Sequence, residues 1–486
     1  MSLDVLDAEL LARAQFAFTV SFHIIFPSFT IGLAAFIATL LVRFRLTGEE
    51  KFHRLARFWT KIFAVSFAMG VVSGIVLSYQ FGTNWARFSE VTGNVIGPLI
   101  GYEVLTAFFL EASFLGILLF GWSRFPPNVH LLSAVLVALG TSLSAFWILA
   151  ANSWMQTPCE LVLDDGTGKV LKELCGHEME NGVAVPTDWW RIIFNPSFPY
   201  RFLHMFTAAY LTTSLVVIAV GARYLVTGRF IEEARTMMRM GLGMVACLAP
   251  LQLLIGDQHG LNTLHYQPAK VAAMEAHWKG DHPGAMVLFA IPNETTGQND
   301  YEWSIPNAAS LILRHDWEGK FPGLDDDGIK DARPPVLPVF FAFRIMVGLG
   351  LVMIALGAVG AVLWWRRRLF EARWYLVAAQ NVWPLGFIAI LAGWWVTETG
   401  RQPWIVTGIL STRDALSPNV TAGAVAATLV LFVLVYTSVF GMGIYYINKL
   451  IDKGPEGAAG KAPEGMPSRP LSAASEAARE AIEGAG

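Results

Sequence analysis

Apolar residues in this chain fall in long uninterrupted stretches that are separated by polar connections. Crossing the hydrocarbon core of a bilayer takes roughly 20 apolar residues in a helix. Nine stretches are of about this length, and they lie near residues 15–42, 62–81, 99–121, 131–151, 199–222, 240–256, 338–364, 375–395 and 419–447. The pattern predicts an all-α polytopic membrane protein with about nine transmembrane helices.

The composition agrees with this class. Hydrophobic residues make up 54% of the chain and charged residues 15%, whereas average soluble domains carry about 25% charged residues. The first stretch is not a signal peptide, because it is too long, lacks a basic n-region and follows Asp4, Asp7 and Glu9. An ordinary soluble domain is therefore excluded.

Basic residues cluster in alternate connections between the stretches. They are Arg43, Arg45, Lys51, Arg54, Arg57 and Lys61 in the first connection, Arg223, Arg229, Arg235 and Arg239 in the fifth, and Arg366, Arg367, Arg368 and Arg373 in the seventh. Connections rich in Lys and Arg stay in the cytoplasm. The N-terminus is therefore predicted to lie outside and the C-terminus inside.

Four regions follow from this topology. Residues 1–256 hold transmembrane helices one to six, and residues 338–453 hold helices seven to nine. Between them, residues 257–337 form a long polar loop on the outer side, which is long enough to be functional rather than connective. Residues 454–486 are rich in Gly, Ala, Pro and Glu and are predicted to be a disordered cytoplasmic tail.

Two of the three cysteines, Cys159 and Cys175, share the outer connection 152–198. A disulfide suits that compartment. Two unpaired thiols fit the sequence about as well, because sequence does not test the geometry that a disulfide needs.

Histidines inside the apolar stretches are candidate ligands, because ionisable groups at membrane depth are rare and usually functional. Only His23 and His204 lie well inside apolar helices. The other eight lie in loops or at span edges: His53, His130, His177, His259, His265, His277, His282 and His315. Imidazole is a common axial haem ligand, and a hydrogen-bonded structural histidine is the alternative.

Two carboxyls, Glu103 and Glu111, lie eight residues apart in the third stretch. In a straight helix they would be about 80° apart in azimuth and about 12 Å apart along the axis. They are predicted to form one polar track into the bilayer. The alternative is a pair of protonated acids that bond to neighbouring helices.

Two further pairs of polar or ionisable residues lie at the ends of apolar helices. Met346 follows Arg344 at the start of the seventh stretch, which would suit an axial sulfur beside a haem propionate, although most methionines simply pack. Glu398 and Arg401 end the eighth helix among tryptophans.

All candidate ligands are predicted to lie in the outer half of the membrane. His23 is about nine residues, or about 13 Å, inside the first helix from its outer end. His204 and Met346 are equally shallow or shallower, and Glu103 and Glu398 are near the outer ends of their helices. This arrangement suits several haems in one layer near the outer face.

Four motifs resemble subunit I of the cytochrome bd-type quinol oxidases, and the resemblance extends over about residues 13–450. They are Gly400-Arg401-Gln402-Pro403-Trp404, Phe343-Arg344-Ile345-Met346, Gln80-Phe81-Gly82-Thr83-Asn84-Trp85 and Trp147-Ile148-Leu149-Ala150-Ala151-Asn152. The loop after residue 257 lacks an extended insertion and is similar to the short quinol-loop branch, which includes cyanide-insensitive oxidases.

The resemblance implies three haems and their ligands. His204 and Met346 match the ligands of a low-spin haem b. His23 matches the ligand of one high-spin haem, Glu398 serves the other, and Glu103 lies close to the first of these. The implied cofactors are low-spin haem b, high-spin haem b and haem d, with a further haem b in place of haem d in some members.

The resemblance also implies roles for other residues around the haems. Arg344 lies beside the low-spin haem, Trp394 matches an indole between haems, and Arg401 matches a haem-site cation. Glu111 and Ser144 match members of a proton route from the inner side.

The long loop resembles a quinol-binding loop, in which Lys270 and Glu275 match residues tied to quinol oxidation. An ordinary surface pair is the alternative. The implied enzyme oxidises quinol at the outer face of the bacterial inner membrane and reduces oxygen with cytoplasmic protons, so it generates proton-motive force without pumping. Its implied partner is a homologous subunit II, with a small single-span accessory subunit as a further candidate and no nucleic acid.

Two other functions remain open from the sequence. A membrane haem protein could pass quinol electrons to another carrier without reducing oxygen, but His23 and Glu398 would then have no role. A transporter that uses the buried carboxylates and Arg344 would bind no haem, and such sites usually lie near the membrane midplane at broken helices.

Overall fold

The computed structural model describes residues 7–163, 170–280 and 282–457. Within these ranges, eight helices are long and apolar enough to cross a membrane: Ala8–Thr47, Glu50–Thr83, Ala86–Phe120, Pro127–Gln156, Phe198–Thr227, Ile231–Tyr266, Val336–Trp365 and Ala422–Pro455. Arg373–Ala379 and Trp383–Thr399 form a bent pair, broken by 41°, that passes the same test together. We number these spans one to nine in chain order, with the pair as span eight. They agree with the predicted number of helices.

Several helices run beyond the apolar stretches that predict them. Span six was expected to end at residue 256 but continues as a helix to Tyr266. Its last turns carry polar side chains, which a helix tolerates because its backbone hydrogen bonds are internal. His259, expected in a loop or at a span edge, therefore lies inside a helix.

Spans one and five form the centre of the bundle. Their apolar windows are 78% and 72% buried, whereas those of spans seven and nine are only 17% buried. Gly32 permits the close contact of spans one and five, because a Cβ added there would lie 2.5 Å from Oγ1 of Thr213. Small residues let membrane helices approach closely in this way.

The connections between spans contain short hairpins and helices that were not predicted. The antiparallel strand pairs are Cys159–Leu163 with Val170–Cys175, His177–Glu180 with Val183–Pro186, Met286–Asn293 with Gln298–Ile305, and Trp404–Val406 with Leu410–Ser411. The short helices are Trp189–Ile193, Pro268–Glu275, Ala308–Arg314 and the 3₁₀ turn Lys330–Ala332. Cys159 and Cys175 pair across the first hairpin and form a disulfide.

The predicted tail, residues 454–486, is described only at its start. The last helix runs from Ala422 to Gly457 with a break at Gly454, and residues 458–486 lie outside the described ranges.

The packing of spans one and five can be tested with one methyl group. Gly32→Ala should lower the midpoint temperature of thermal unfolding of the purified complex, because overpacking a protein core typically costs about 1–3 kcal/mol. Gly243→Ala is the matched control, since a Cβ at Gly243 meets no atom of the described residues within 4 Å. Equal melting of the two variants would contradict a close contact at Gly32.

Candidate functional site

The main cluster of candidate residues lies at the end of the bundle that carries residues 267–335, which we call the loop end. Span eight ends there at Thr399, and Gly400 caps it. Arg401 follows Glu398 by three residues, so both side chains lie on one side of the helix end and form an ion pair. Asn152, near the end of span four, also donates to Oε1 of Glu398 (3.1 Å).

A second buried arginine belongs to this cluster, and the sequence analysis missed it. Arg201 is only 6% exposed, and its guanidinium donates to Oδ1 of Asn152 and to Oγ of Ser153 (Nε–Oγ 3.1 Å). It lies three residues before His204, one helical turn away. The sequence feature that could have identified Arg201 is its position near the start of an apolar stretch, where a guanidinium is unusual.

Lys270 extends from the long loop into the same cluster. It lies in the short helix Pro268–Glu275 and is buried. Its Nζ donates to Oε1 of Gln156 (2.7 Å) and to Oε1 of Gln267 (2.8 Å). Burial lowers the pKa of Lys270 well below its usual range, and the positive charge of Arg201 acts in the same direction.

Glu275 lies at the other end of that short helix and points to span seven. It is buried and forms an ion pair with Arg344 (2.8 Å). Burial raises the pKa of Glu275, and Arg344 partly opposes this effect. Because both Lys270 and Glu275 are buried and bind different partners, the interpretation as an ordinary surface pair is wrong.

Arg344 ties the long loop to span seven. Besides Glu275, its guanidinium donates to the backbone carbonyls of Met274 and Val287 (Nε–O of Val287 2.9 Å). The sequence suggested an arginine aimed at a haem propionate; here these loop groups take its hydrogen bonds.

Three of the four predicted haem-iron ligands, all except Glu398, share one packing feature. Each lies against a glycine of a neighbouring span, where an added Cβ would lie 3.1, 3.3 or 3.0 Å from the nearest ring or sulfur atom. The pairs are His23 with Gly74, His204 with Gly256, and Met346 with Gly393. The glycines leave room for the ligand side chains to approach the neighbouring helices closely.

The hydrogen bonds of His23 define which ring nitrogen is free. Its Nδ1 lies 3.0 Å from Oγ of Ser73, and the Ser73 hydroxyl donates to the carbonyl of Gly70 (2.9 Å). With the hydroxyl proton of Ser73 directed at Gly70, Nδ1–H of His23 donates to Ser73. Nε2 then keeps its lone pair, as an iron ligand requires.

The two carboxyls of span three face the same stripe of span four. Glu103 accepts a hydrogen bond from Ser144 (2.7 Å), and a Cβ at Gly140, one turn away, would lie 2.6 Å from Cγ of Glu111. The expected 80° separation is wrong, because Val104–Phe108 is a π-helical turn. Such a turn adds about one residue, or about 100°, and leaves the carboxyls within about 20° of each other.

The histidines of spans one, five and six have different neighbours. The described contacts of His23 are with span two, and they do not include His204 or Glu398. His259 of span six lies beside His204, with ring centroids 5.4 Å apart. The sequence pointed away from His259 because it follows the end of the apolar stretch.

A family model for cytochrome bd terminal oxidase subunit I matches residues 11–455. The chain belongs to this family. Cytochrome bd ubiquinol oxidase subunit 1 of Bacillus subtilis (strain 168) is 34% identical over 92% of this chain and 94% of that protein. Cytochrome bd-II ubiquinol oxidase subunit 1 of Escherichia coli (strain K12) is 32% identical over 93% and 97%, respectively.

The fold agrees with that of a solved bd oxidase. The structure of bd oxidase from Geobacillus thermodenitrificans superposes with a TM-score of 0.82 at 30% identity, covering 92% of this chain and 99% of that one. The resemblance inferred from the four motifs is confirmed.

The bd family contains haem, and the residues at the loop end fit such a group. Nε and Nη1 of Arg401, Nε1 of Trp394 and Nδ1 of His204 are buried without a hydrogen-bond partner among the described residues. Buried polar atoms are normally paired. The two buried guanidinium groups of Arg201 and Arg401 also outnumber Glu398, the carboxylate with which they interact. The propionates of a haem would balance this excess of positive charge.

The hydrogen bond between His23 and Ser73 can be tested in this bd-family protein. Ser73→Ala should weaken haem retention at His23 by roughly 10- to 100-fold, as loss of a ligand's outer hydrogen bond typically does, and Ser73→Thr should restore it. The measurement is the haem-to-protein ratio after dilution into detergent, together with the haem spectrum. Ser78→Ala, on an exposed face of the same helix, is the control. Unchanged haem retention in Ser73→Ala would contradict the assignment.

Proposed function

We propose that this chain is the haem-bearing subunit of a terminal quinol oxidase that transfers electrons from quinol to oxygen. The observation that carries the proposal is the joining of the long loop to the candidate haem site. Lys270 and Glu275 of one short helix reach, by direct hydrogen bonds, Gln156 beside Glu398 and Arg344 beside Met346. The relatives are named as ubiquinol oxidases.

Quinol oxidation is assigned to the loop region 257–337. Lys270 and Glu275 are the proposed quinol-binding residues. A carboxyl whose pKa is raised by burial is suited to accept a proton near neutral pH, and Glu275 has this property. It would take up a proton as quinol is oxidised and release it at the same face.

Three haems are proposed for the helical regions 1–256 and 338–453. His204 and Met346 would hold a low-spin haem b, and His23 and Glu398 would serve a high-spin haem b and a haem d, or a further haem b in its place. Glu103 would lie near the first of these high-spin sites. When bound, these groups would supply electron transfer and oxygen reduction.

Other residues would support the haems and supply protons. Arg401 would neutralise charge at the haem site, and the indole of Trp394 would lie between haems. Glu103 with Ser144, and Glu111 one turn further along the same stripe of span four, would carry protons toward the oxygen site. Aligned polar groups inside a membrane protein are suited to proton relay.

The direction of these events follows from the basic connections. With the N-terminus outside and the C-terminus inside, the loop end faces out of the bacterial inner membrane, and residues 454–486 lie in the cytoplasm. Quinol protons would then leave outside while protons for oxygen reduction enter from inside. No separate pumping step is needed for a proton-motive force.

A second subunit is implied by membership of the bd family, whose matching model is named subunit I. The exposed apolar faces of spans seven and nine, with only 17% of their windows buried, leave room for lipid and for such a partner. A small single-span accessory subunit is a further proposed partner.

The quinol assignment is tested by Lys270→Met in the purified complex. Loss of this buried hydrogen-bond donor should raise the KM for quinol about tenfold, while the haem spectrum stays intact. The assay is quinol-dependent oxygen consumption. Lys279→Met, at an exposed lysine of the same loop, should leave KM unchanged. Loss of haem in Lys270→Met would show that its role is structural.

A further inference from the structure

Gln156 is the last residue of span four and was not among the predicted site residues. It is fully buried (0% exposed). It lies where the long loop, span four and the end of span eight meet. Its side chain is the shortest described connection between the proposed quinol residue Lys270 and the proposed haem ligand Glu398.

The two ends of the Gln156 amide bond different segments. Its Oε1 accepts hydrogen bonds from Nζ of Lys270 (2.7 Å) and from Nε2 of Gln267 (2.9 Å). Its Nε2 donates to Oε1 of Glu398 (3.4 Å) and to the carbonyl of Thr397 (3.5 Å). The contacts to the lysine side are therefore short and those to the glutamate side are long.

The chemistry of the partners fixes the orientation of this amide. Both described hydrogen bonds of Lys270 Nζ are donated by it, and a carboxylate such as Glu398 carries only acceptors. A flipped Gln156 would direct its NH₂ group at the lysine and its oxygen at the carboxylate, so both contacts would become repulsive. One orientation of Gln156 satisfies both partners, and no other uncharged side chain type except a similar amide supplies both a donor and two acceptor sites at this length.

Other groups around Glu398 do not duplicate this connection. Asn152 also donates to Glu398, but its oxygen accepts from Arg201. Arg401 binds Glu398 directly and shares no hydrogen bond with Lys270 within the described ranges. Gln156 is thus the side chain that contacts both Lys270 and Glu398.

We propose that Gln156 is a positioning residue that aligns the quinol-oxidising lysine with the haem-site carboxylate. This inference rests on the proposed function, because it takes Lys270 as a quinol-site residue and Glu398 as a haem-site residue. The side chain of Gln156 couples the two sites, because it sets the position of Lys270 and also supplies a hydrogen-bond donor to Glu398. Removing both polar atoms of its amide must therefore affect quinol binding and the haem potential in the same variant.

Two substitutions distinguish the role of the oxygen of the Gln156 amide from the role of its nitrogen. Gln156→Met keeps the length of the side chain and removes the hydrogen bonds at both ends of the amide, so it should raise the KM for quinol roughly tenfold and shift the midpoint potential of the haem served by Glu398. Gln156→Glu keeps an acceptor for Lys270 but places a second carboxylate beside Glu398. It should leave KM within about twofold of the parent value, within the usual spread of such contacts, and lower the potential, because added negative charge stabilises ferric iron.

Thr157→Val is the matched control. Thr157 is the neighbouring buried residue, but its hydroxyl bonds Ser153 and Asn195 and not Lys270 or Glu398. Its KM and potential should stay at parent values. Similar changes in Gln156→Met and Thr157→Val would reduce Gln156 to a packing role and overturn the proposal.

The experiment uses the full purified complex, with a soluble short-chain quinol as the substrate and a redox titration of the haem spectrum as the second readout. If Gln156→Met fails to retain haem, the separation of KM from potential in Gln156→Glu decides. If the parent complex oxidises quinol with oxygen but Gln156→Met changes neither quantity, this inference alone is wrong. A parent complex without quinol-dependent oxygen uptake would instead contradict the proposed function.

Discussion

The structure depends on one buried electrostatic arrangement at the loop end of the bundle. Glu398 lies among Arg401, Arg201 and Lys270, and charged groups at membrane depth are stable only when they are paired and hydrogen-bonded. No single helix could supply these partners. Span four contributes amide side chains, span five contributes a guanidinium, and the long loop contributes the amino group of Lys270. Satisfying one carboxylate therefore brings together segments that are far apart in the chain. The same requirement places a quinol-site candidate beside a haem-site candidate.

A second constraint is steric. Side chains that serve as axial ligands inside a helical bundle need space beside the neighbouring helix. A glycine in that helix provides the space without interrupting the helix in a packed membrane interior. Gly74, Gly256 and Gly393 each face a predicted axial ligand. In span three, the constraint is the direction in which the side chains point. The π-helical turn Val104–Phe108 rotates the second half of the helix, so that Glu111 faces the same helix as Glu103. Irregular turns of this kind are frequent at functional sites.

The sequence predicted the number of spans, because the length of an apolar stretch is a local property. It also singled out ligand candidates, because ionisable groups within such stretches are rare, and those assignments stay predictions. It did not reveal tertiary roles. Arg201 and Gln156 are recognised as site residues only when spans four, five and eight are packed together. Lys270 could be read as a surface residue because other segments bury it. His259 was misplaced because helix six outlasts its apolar stretch, and the azimuth of Glu111 was misjudged because periodicity assumes an unbroken α-helix.

The central claim is that this chain holds haem at which oxygen can bind. The most direct test is a dithionite-reduced minus oxidised spectrum of the purified complex, recorded with and without carbon monoxide. The account predicts haem signals of which a part shifts with carbon monoxide: a red chlorin band would identify haem d, and haem b signals alone would identify a further haem b in its place. Haem that binds no carbon monoxide would indicate an electron-transfer protein that does not reduce oxygen, and the absence of haem would contradict the account altogether.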